Sequence, residues 1–245
     1  MSLNKALEIL LAMLALAILA PIMLLVSLLI WLQDSKNPIY VAQRMGRNQE
    51  MFGMLKFRTM VYNADQSGIF STSTADSRIT LIGHFLRRTK LDEIPQLINV
   101  VLGQMSFVGP RANVISEIEH YSEDEIRLFS VSPGITDIAS IVFADEGNIL
   151  AGSIDPDKDY RRLIWPAKAA LGIFYVDNRG ILMDIRLVIL TIYAMFNRDA
   201  ALRHLFLFLE RHGCEANLCK LVLRRRNLEE EPFLNLAPDK TDLQQ

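Results

Sequence analysis

Hydrophobic positions are concentrated near the N-terminal end of the chain. Ile9 to Leu32 form a run of 24 residues without a charge. At ~1.5 Å per residue, a helix of this length could cross a hydrocarbon core of ~30 Å. Asp34 follows soon after, and no small-residue cleavage site of a signal peptide is present, so we expect the segment to stay attached to the protein.

Pro21 lies near the middle of this run. A proline removes one backbone hydrogen bond and clashes with the carbonyl four residues earlier, so a kink is expected there. Two arrangements follow: a bent helix that spans the membrane, or a helix that turns back to the face it entered. More basic residues follow the run (Lys36, Arg44, Arg47) than precede it (Lys5), which favours a cytoplasmic location for the rest of the chain.

The rest of the chain changes between strand and helix patterns. Residues 38–62 predict short strands that break at Gly46 and Gly53, and residues 63–77 predict a polar loop. SFVGPR and SPGIT predict turns. Apolar residues at helical spacing predict helices in four segments: 78–101, 113–129, 159–176 and 181–197. We therefore predict an α+β, helix-rich fold.

Composition narrows the class of protein. Of the 245 residues, 51% are hydrophobic, and the formal net charge is −2. These values allow a sizeable core and lack the charge excess of a nucleic-acid-binding protein, so no nucleic-acid partner is expected. The two cysteines, Cys214 and Cys219, are too few for a disulfide framework, and their spacing beside His212 does not match the usual zinc motifs.

The C-terminal part mixes basic residues with Leu, Phe and Val over residues 203–226. Such a segment can lie on an anionic membrane surface or form a solvated helix face, and both interpretations stay open. The residues after it predict a mobile acidic tail. The expected organisation has four parts: a membrane helix at 1–36, the main domain at 37–200, a basic amphipathic segment at 201–228 and the tail at 229–245.

The stretch KLDEIPQLINVVLGQMSFVGPR, residues 90–111, places two adjacent acids among apolar residues. Asp92 is a good N-cap residue, which would put Pro95 in the first turn of a helix, where proline is tolerated. The acids, Asp92 and Glu93, would then lie at a helix end that attracts anions such as phosphate. If one helix runs through, a surface salt bridge between Arg88 and Asp92 would explain the acids without a function.

Many cations surround the acids in the sequence: Lys56, Arg58, Arg78, Arg87, Arg88, Lys90 and Arg111. Acids alone would repel a diphosphate. Acids with a divalent metal and several arginines can bind one, since Mg²⁺ prefers a few carboxylates together with phosphate oxygens. A carboxylate can also attack phosphorus and form an acyl-phosphate intermediate.

Several motifs together resemble those of the bacterial sugar transferases, the monotopic phosphoglycosyl transferases that start glycan assembly on a polyprenyl phosphate. The resemblance covers roughly residues 5–196, and the spacing between LDEIPQL and SFVGPR is more specific than any motif alone. The motifs are KFRTM (56–60), LDEIPQL (91–97), SFVGPR (106–111), PGIT (133–136) and LMDIRLVILTIY (182–193).

The resemblance implies a reaction and its central residues. The family moves a sugar-1-phosphate from a UDP-sugar to undecaprenyl phosphate and releases UMP, as the first membrane step of a surface glycan pathway such as exopolysaccharide or lipopolysaccharide biosynthesis. Asp92 matches the aspartate that attacks the phosphate nearest the sugar and forms a covalent phosphosugar–enzyme, and Glu93 matches its partner. Mg²⁺ would lie beside Asp92, with Glu93 as a second ligand or as a residue that tunes Asp92.

The resemblance also implies phosphate-binding residues and a membrane arrangement. Arg87 and Arg111 match basic residues of the family's site, and Lys56 or Arg58 is expected to join them, although their alternation along a strand also fits two outward-facing side chains. Pro21 matches the break of a re-entrant helix. The catalytic domain would lie on the cytosolic face of the bacterial inner membrane, with interfacial amphipathic helices against the lipids. The oligomeric state, including a homo-oligomer, stays open.

Departures from the family pattern leave the sugar unidentified. Ala20 precedes Pro21 where many relatives have serine, Ser132 precedes PGIT where many have arginine, and Ala112 follows GPR where proline is usual. Two other functions remain as alternatives. One is a non-catalytic membrane scaffold of a glycan assembly complex, and the other is a metal-dependent membrane phosphohydrolase with water as the acceptor.

Overall fold

The computed structural model describes residues 3–67, 72–73, 76–114, 118 and 121–223. The chain forms two compact units: Met1–Ser67 with Asp76–Asp137, and Gly68–Ala75 with Ile138–Gln245. Helices predominate over two small two-stranded sheets, which confirms the helix-rich α+β prediction.

Helix α1, Leu3–Asp34, begins the first unit and is uninterrupted across Pro21. Among the described residues it is the one helix that is long and apolar enough, by length and composition, to cross a membrane. One stripe of the helix packs on the unit through Ala12, Val26 and Ile30, while most of its large apolar side chains are exposed. The predicted turn of the chain at Pro21 is not seen as a break in the helix, so the re-entrant topology stays a prediction.

Strands β1, Ile39–Met45, and β2, Met51–Phe57, form an antiparallel hairpin in which Ile39 pairs with Phe57. A 3-10 turn at Arg47–Gln49 joins them. Gly46 ends β1 as predicted. The predicted break at Gly53 is wrong, because this residue pairs with Gln43 in the middle of β2.

Helices α2, Leu81–Thr89, and α3, Gln96–Val101, carry the acidic stretch between them. Thr80 caps α2, and Lys90 ends it with a left-handed backbone, φ 58°. Asp92 then lies in a 3-10 turn, Leu91–Glu93, and makes no capping hydrogen bond, while Pro95 precedes α3 with helical angles. The prediction of Asp92 as an N-cap is therefore wrong, because the left-handed Lys90 restarts the chain in a tight turn rather than in an α-helix.

The two segments that were predicted as turns, SFVGPR and SPGIT, each contain a short strand, and the prediction is wrong there. Strands β3, Ser106–Val108, and β4, Gly134–Thr136, pair in parallel. The Gly134 N–H donates to the Pro110 carbonyl at 3.1 Å, and a Cβ on Gly134 would lie 2.1 Å from the Gly109 nitrogen. Only glycine allows this approach, which fixes the position of the residue that follows Pro110.

The predicted helix at 113–129 is wrong at its start and is confirmed only from Glu123 onward. Asn113 forms a bridge with Met45, and the helix α4 spans only Glu123–Ile126, followed by a 3-10 turn at Arg127–Ser130. Ser122 caps α4 with a capping box, in which the Glu125 side chain accepts from the Ser122 N–H and the Ser122 hydroxyl accepts from the Glu125 N–H.

The regular secondary structure described in the second unit is helical. The predicted helices at 159–176 and 181–197 are confirmed as α8 and α9, and α8 follows a π-helical turn at Tyr160–Ile164. The basic segment forms α10 and α11, and the turn at Gly213 separates these two helices. The predicted start of the segment, residue 201, lies inside α10. Arg224 to residue 228 and the predicted tail lie outside the described residues. The helices of the unit are α5 Ile138–Val142, α6 Glu146–Ile149, α7 Pro156–Asp159, α8 Trp165–Asn178, α9 Ile181–Phe196, α10 Arg198–Arg211 and α11 Ala216–Val222.

Candidate active site

The first unit brings four of the predicted site residues together. Glu93 Oε1 accepts a hydrogen bond from Lys56 Nζ at 3.1 Å and another from Arg111 Nη2 at 2.7 Å. Asp92 lies beside this ion triad and is itself buried, with 8% of its surface exposed. Residues from β2, from the 3-10 turn and from the end of the SFVGPR turn therefore form one charged cluster.

The hydrophobic pattern of β2 places Lys56 in this cluster. Phe52 and Met54 pack against Leu97 and Val100 of α3 in the core. Lys56 follows them at the strand period of two, so its side chain leaves the same face of the hairpin as the core residues do. There it meets the turn that precedes α3 and carries Glu93.

Asn99 fastens α3 to β2 and was not singled out from the sequence. Its side-chain amide donates to the Gly53 carbonyl at 2.8 Å, and its Oδ1 accepts from the Leu55 N–H at 3.0 Å. Asn99 is 1% exposed. A polar residue within the apolar pattern LINVV was the signal that could have identified it, since a buried amide needs partners.

The two adjacent acids have opposite electrostatic environments. Burial raises the pKa of Asp92, the Lys56 charge opposes this shift, and the Glu93 charge adds to it. Burial acts on Glu93 in the same way, but the charges of Arg111 and Lys56 outweigh it and hold the pKa of Glu93 far below its ordinary value. Burial also lowers the pKa of Lys56, although Glu93 acts against that shift.

One carboxylate oxygen of Asp92 lacks a partner in the described part of the chain. Its Oδ1 is buried and has no hydrogen-bond partner among the described residues. Leaving a buried polar atom unpaired costs about 1–3 kcal/mol, and more for a charged group. Such an atom beside a cationic cluster is typical of a site that is completed by a ligand.

Arg87 lies in the last turn of α2 and is anchored on the KFRTM motif. Its Nε donates to Thr59 Oγ1 at 2.9 Å. Burial lowers the pKa of Arg87, and the nearby charges of Asp92 and Asp76 oppose this shift. The predicted placement of a basic residue near Asp92 thus agrees with the structure, whereas its role in binding substrate stays a prediction.

Arg58 does not join the acids. Its guanidinium makes two bonds to Asp34, at 2.6 and 2.7 Å, and its Nε donates to the Asn37 carbonyl at 2.9 Å. Arg58 is 7% exposed, and its hydrogen bonds hold the C-terminal end of α1 to the hairpin. The structure therefore gives a structural role to Arg58 and leaves Lys56 as the residue of KFRTM that reaches the acids.

Two further basic residues are also accounted for. Arg78 pairs with Asp76 at 2.6 Å and donates to the Ala64 carbonyl, so it supports the loop before α2. Arg88 is exposed. The interpretation of a salt bridge along one helix between Arg88 and Asp92 is wrong, because α2 ends at Thr89 and the left-handed Lys90 separates the two residues.

Comparison with known proteins agrees with the motifs. The family model described as bacterial sugar transferase matches residues 1–198. The exopolysaccharide production protein PSS of Rhizobium leguminosarum bv. phaseoli is 37% identical over 204 residues, which cover 80% of this chain and 96% of the relative.

Other relatives are longer than this chain. A UDP-glucose:undecaprenyl-phosphate glucose-1-phosphate transferase of Escherichia coli K12 is 31% identical over 81% of this chain but only 41% of its own length. A UDP-galactose-lipid carrier transferase of Erwinia amylovora is 34% identical over 69% of this chain and 35% of its own length. From the match of the family model over most of the chain, we conclude that this protein belongs to the bacterial sugar transferase family.

Proposed function

We propose that the protein transfers a sugar-1-phosphate from a UDP-sugar to undecaprenyl phosphate and releases UMP, in the first membrane step of a bacterial surface glycan pathway. The observation that carries the proposal is the buried, unpartnered Oδ1 of Asp92 beside the ion triad of Glu93, Lys56 and Arg111. The names of relatives that act on UDP-glucose and undecaprenyl phosphate support the same reaction class.

The reaction proceeds in two displacements at phosphorus. An oxygen of the Asp92 carboxylate attacks the phosphorus nearest the sugar, the bond from that phosphorus to the oxygen of UMP breaks, and UMP leaves with the electron pair. An aspartyl-phosphosugar remains. An oxygen of the lipid phosphate then attacks the same phosphorus, the bond to Asp92 breaks, and the carboxylate is restored as the lipid-linked product forms.

The neighbouring residues lower the barrier by charge. Glu93 stays ionised between Lys56 and Arg111 and holds both cations next to the carboxylate that reacts. These cations offset the repulsion between Asp92 and an anionic diphosphate and stabilise charge on the transferring phosphoryl group. Glu93 is thus proposed to act by positioning the cations rather than by touching the substrate.

A divalent metal fits Asp92 better than it fits Glu93. Asp92 Oδ1 lacks a partner among the described residues, whereas Glu93 Oε1 already accepts from two cations. Within the described part of the chain, no three His, Cys, Asp or Glu side chains gather as a metal site. One carboxylate is sufficient for Mg²⁺ when substrate phosphates and water supply the other ligands. When bound, the ion would neutralise charge on the diphosphate and assist the departure of UMP.

The contacts at the two ends of α1 support a membrane helix that returns to the cytosolic face. Lys5 Nζ donates to the Met105 carbonyl at 2.7 Å, and Asp34 pairs with Arg58, so the first unit binds both ends. Lys5 and Asp34 are 29 positions apart, or about 43 Å along a straight helix. If α1 spanned the bilayer, its two ends would lie on opposite sides of the membrane. The first unit could then contact both ends only by placing its own charged groups in the hydrocarbon core.

An exposed face of α9 supports the proposal of interfacial helices. Met183, Leu187 and Leu190 are buried within the second unit. The opposite side of α9 exposes a large apolar set that would rest on lipid, since contiguous apolar surface marks an interaction site. This set is Ile181, Leu182, Ile185, Ile189, Ile192, Met195 and Phe196.

The reaction is tested by UMP release from a panel of UDP-sugars, with purified protein and undecaprenyl phosphate. We expect at least one donor to support release, Asp92→Asn to abolish it, and the exposed-site control Asp65→Asn to retain it. Mass spectrometry of the protein trapped with that donor should place a phosphosugar on Asp92. Near-normal turnover by Asp92→Asn would overturn the assignment of Asp92 as the nucleophile. UMP release from no donor would favour a scaffold. Repeated turnover without the lipid would favour a phosphohydrolase, because the first displacement alone releases at most one UMP per protein.

A further inference from the structure

Arg87 has one hydrogen-bonded anchor within the described part of the chain. Its Nε donates to Thr59 Oγ1 at 2.9 Å, and its two terminal amino groups make no hydrogen bond to any described residue. Arg78, by contrast, is held by Asp76. A guanidinium that is fixed at Nε and unengaged at its terminal nitrogens can form the paired hydrogen bonds that phosphate oxygens accept.

Thr59 is itself held firmly by the start of α2. It is 7% exposed, and its carbonyl accepts from the Thr80 N–H at 3.0 Å. Thr80 in turn caps α2 by accepting from the Gly83 N–H at 3.0 Å. A Cβ on Gly83 would lie 1.9 Å from the Thr59 carbonyl oxygen, so the helix and the KFRTM motif are in direct backbone contact. The hydroxyl that receives Arg87 therefore has a fixed position.

We propose that Thr59 is a positioning residue: its hydroxyl holds Arg87 so that the two terminal amino groups face the phosphoryl group transferred at Asp92. An arginine that is already held loses less rotamer freedom when the anion arrives than a free one does. This inference rests on the proposed function and adds to it the residue that orients the phosphate-binding arginine.

The test compares Thr59→Val, which keeps the shape and removes the hydroxyl, with Thr59→Ser, which keeps the hydroxyl. Thr191→Val is the matched control, because it removes a hydroxyl that donates within α9 to the Leu187 carbonyl. UMP release gives kcat and KM, and calorimetry gives the affinity for UDP with Mg²⁺. We expect Thr59→Val to lose about tenfold or more in kcat/KM and in affinity, the size of a lost hydrogen bond to a charged group. Thr59→Ser and Thr191→Val should stay near wild type.

A double mutant separates positioning from general support of the fold. In an Arg87→Ala background, Thr59→Val should cause no further loss if the hydroxyl acts through Arg87. The proposal is overturned if Thr59→Val causes its full loss of kcat/KM in that background as well. It is also overturned if Thr59→Val alone behaves like the wild type. If the wild type binds UDP but releases no UMP, the proposed function fails while UDP affinities still decide the role of Thr59. If it neither binds nor turns over, both are overturned.

Discussion

At the scale of single residues, the site separates two adjacent carboxylates by their surroundings. Asp92 is buried with an unsatisfied oxygen, whereas Glu93 is buried between two cations. The pKa of Asp92 is raised by burial and that of Glu93 is lowered by Arg111 and Lys56. Opposite shifts in a pair of acids assign them different tasks. The protein therefore carries a carboxylate whose ionised form is destabilised and available for reaction.

These shifts predict opposite effects of two neighbouring substitutions on stability. Asp92→Asn should raise the Tm at pH 8 by roughly 2–4 °C, about 1 kcal/mol, because it removes a charge whose burial is unfavourable. Glu93→Gln should lower the free energy of unfolding by about 3–5 kcal/mol, because it leaves two cations without their buried partner. Thermal unfolding of both variants and the wild type measures this. An equal loss of stability in the two variants would contradict the opposite environments assigned to Asp92 and Glu93.

The same measurement has a pH dependence with a defined sign. A raised pKa means that Asp92 adds stability below its unfolded pKa, ~3.9, and that this stability is lost as the pH rises through the folded value. The advantage of Asp92→Asn should thus shrink as the pH falls from 8 toward 4. Transfer activity should fall over the same range, because the protonated carboxyl cannot attack phosphorus.

At the scale of elements, the site depends on the close approach of α2 to the end of β2. Gly83 allows the helix to touch Thr59, and Asn99 fastens α3 to β2 from the other side. These contacts bring Arg87 and Glu93 to the same strand end. The arrangement is rigid because each junction involves backbone atoms, which cannot rotate away as a side chain can.

Gly83→Ala is expected to destabilise the first unit strongly. The new methyl group would lie 1.9 Å from a backbone oxygen, so α2 would have to shift and Thr80 would lose its place as the cap. We expect a loss above about 2 kcal/mol, as for other strained backbone contacts. Gly180→Ala is the control, because a Cβ there meets no atom within 4 Å. If the Gly83→Ala variant unfolds at the same temperature as the wild type, the contact between α2 and Thr59 is not tight.

At the scale of the whole molecule, the attachment of α1 carries our proposal for how the protein meets the membrane. Lys5 at one end and Asp34 at the other both bind the first unit. The exposed face of the helix, with Leu14, Ile18 and Leu25 among others, has no cover within the described residues and is suited to lipid. A helix held at both ends by polar contacts with one unit is suited to a single leaflet.

Cysteine labelling tests this topology. In a background with Cys214→Ser and Cys219→Ser, we place single cysteines by Ser2→Cys and Lys36→Cys. Both should react with an impermeant maleimide in inside-out vesicles, and neither should react in intact cells after permeabilisation of the outer membrane. Labelling of Ser2→Cys from the opposite side alone would show a spanning helix and would overturn the proposed single-face arrangement.

Residue order alone was enough to predict the family and its pair of candidate acids. Composition and the run from Ile9 to Leu32 indicated a long apolar helix, and the spacing of LDEIPQL to SFVGPR indicated the family and the acids. These signals were readable because apolar periodicity and motif spacing are local properties of a chain. Local reasoning failed at Gly53 and at the capping role of Asp92, where the outcome depended on a distant strand and on a left-handed residue.

Which charged side chains pair with each other depends on the folded chain. Lys56 and Arg58 are two positions apart in one motif, yet Lys56 reaches Glu93 and Arg58 reaches Asp34. Lys56 and Glu93 are 37 positions apart in the chain, and Arg58 and Asp34 are 24 positions apart. Their pairing therefore depends on how the hairpin packs against α3 and α1. The environments of Asp92 and Glu93 follow from the same packing, because burial and neighbouring charges belong to the folded state and not to the residue type.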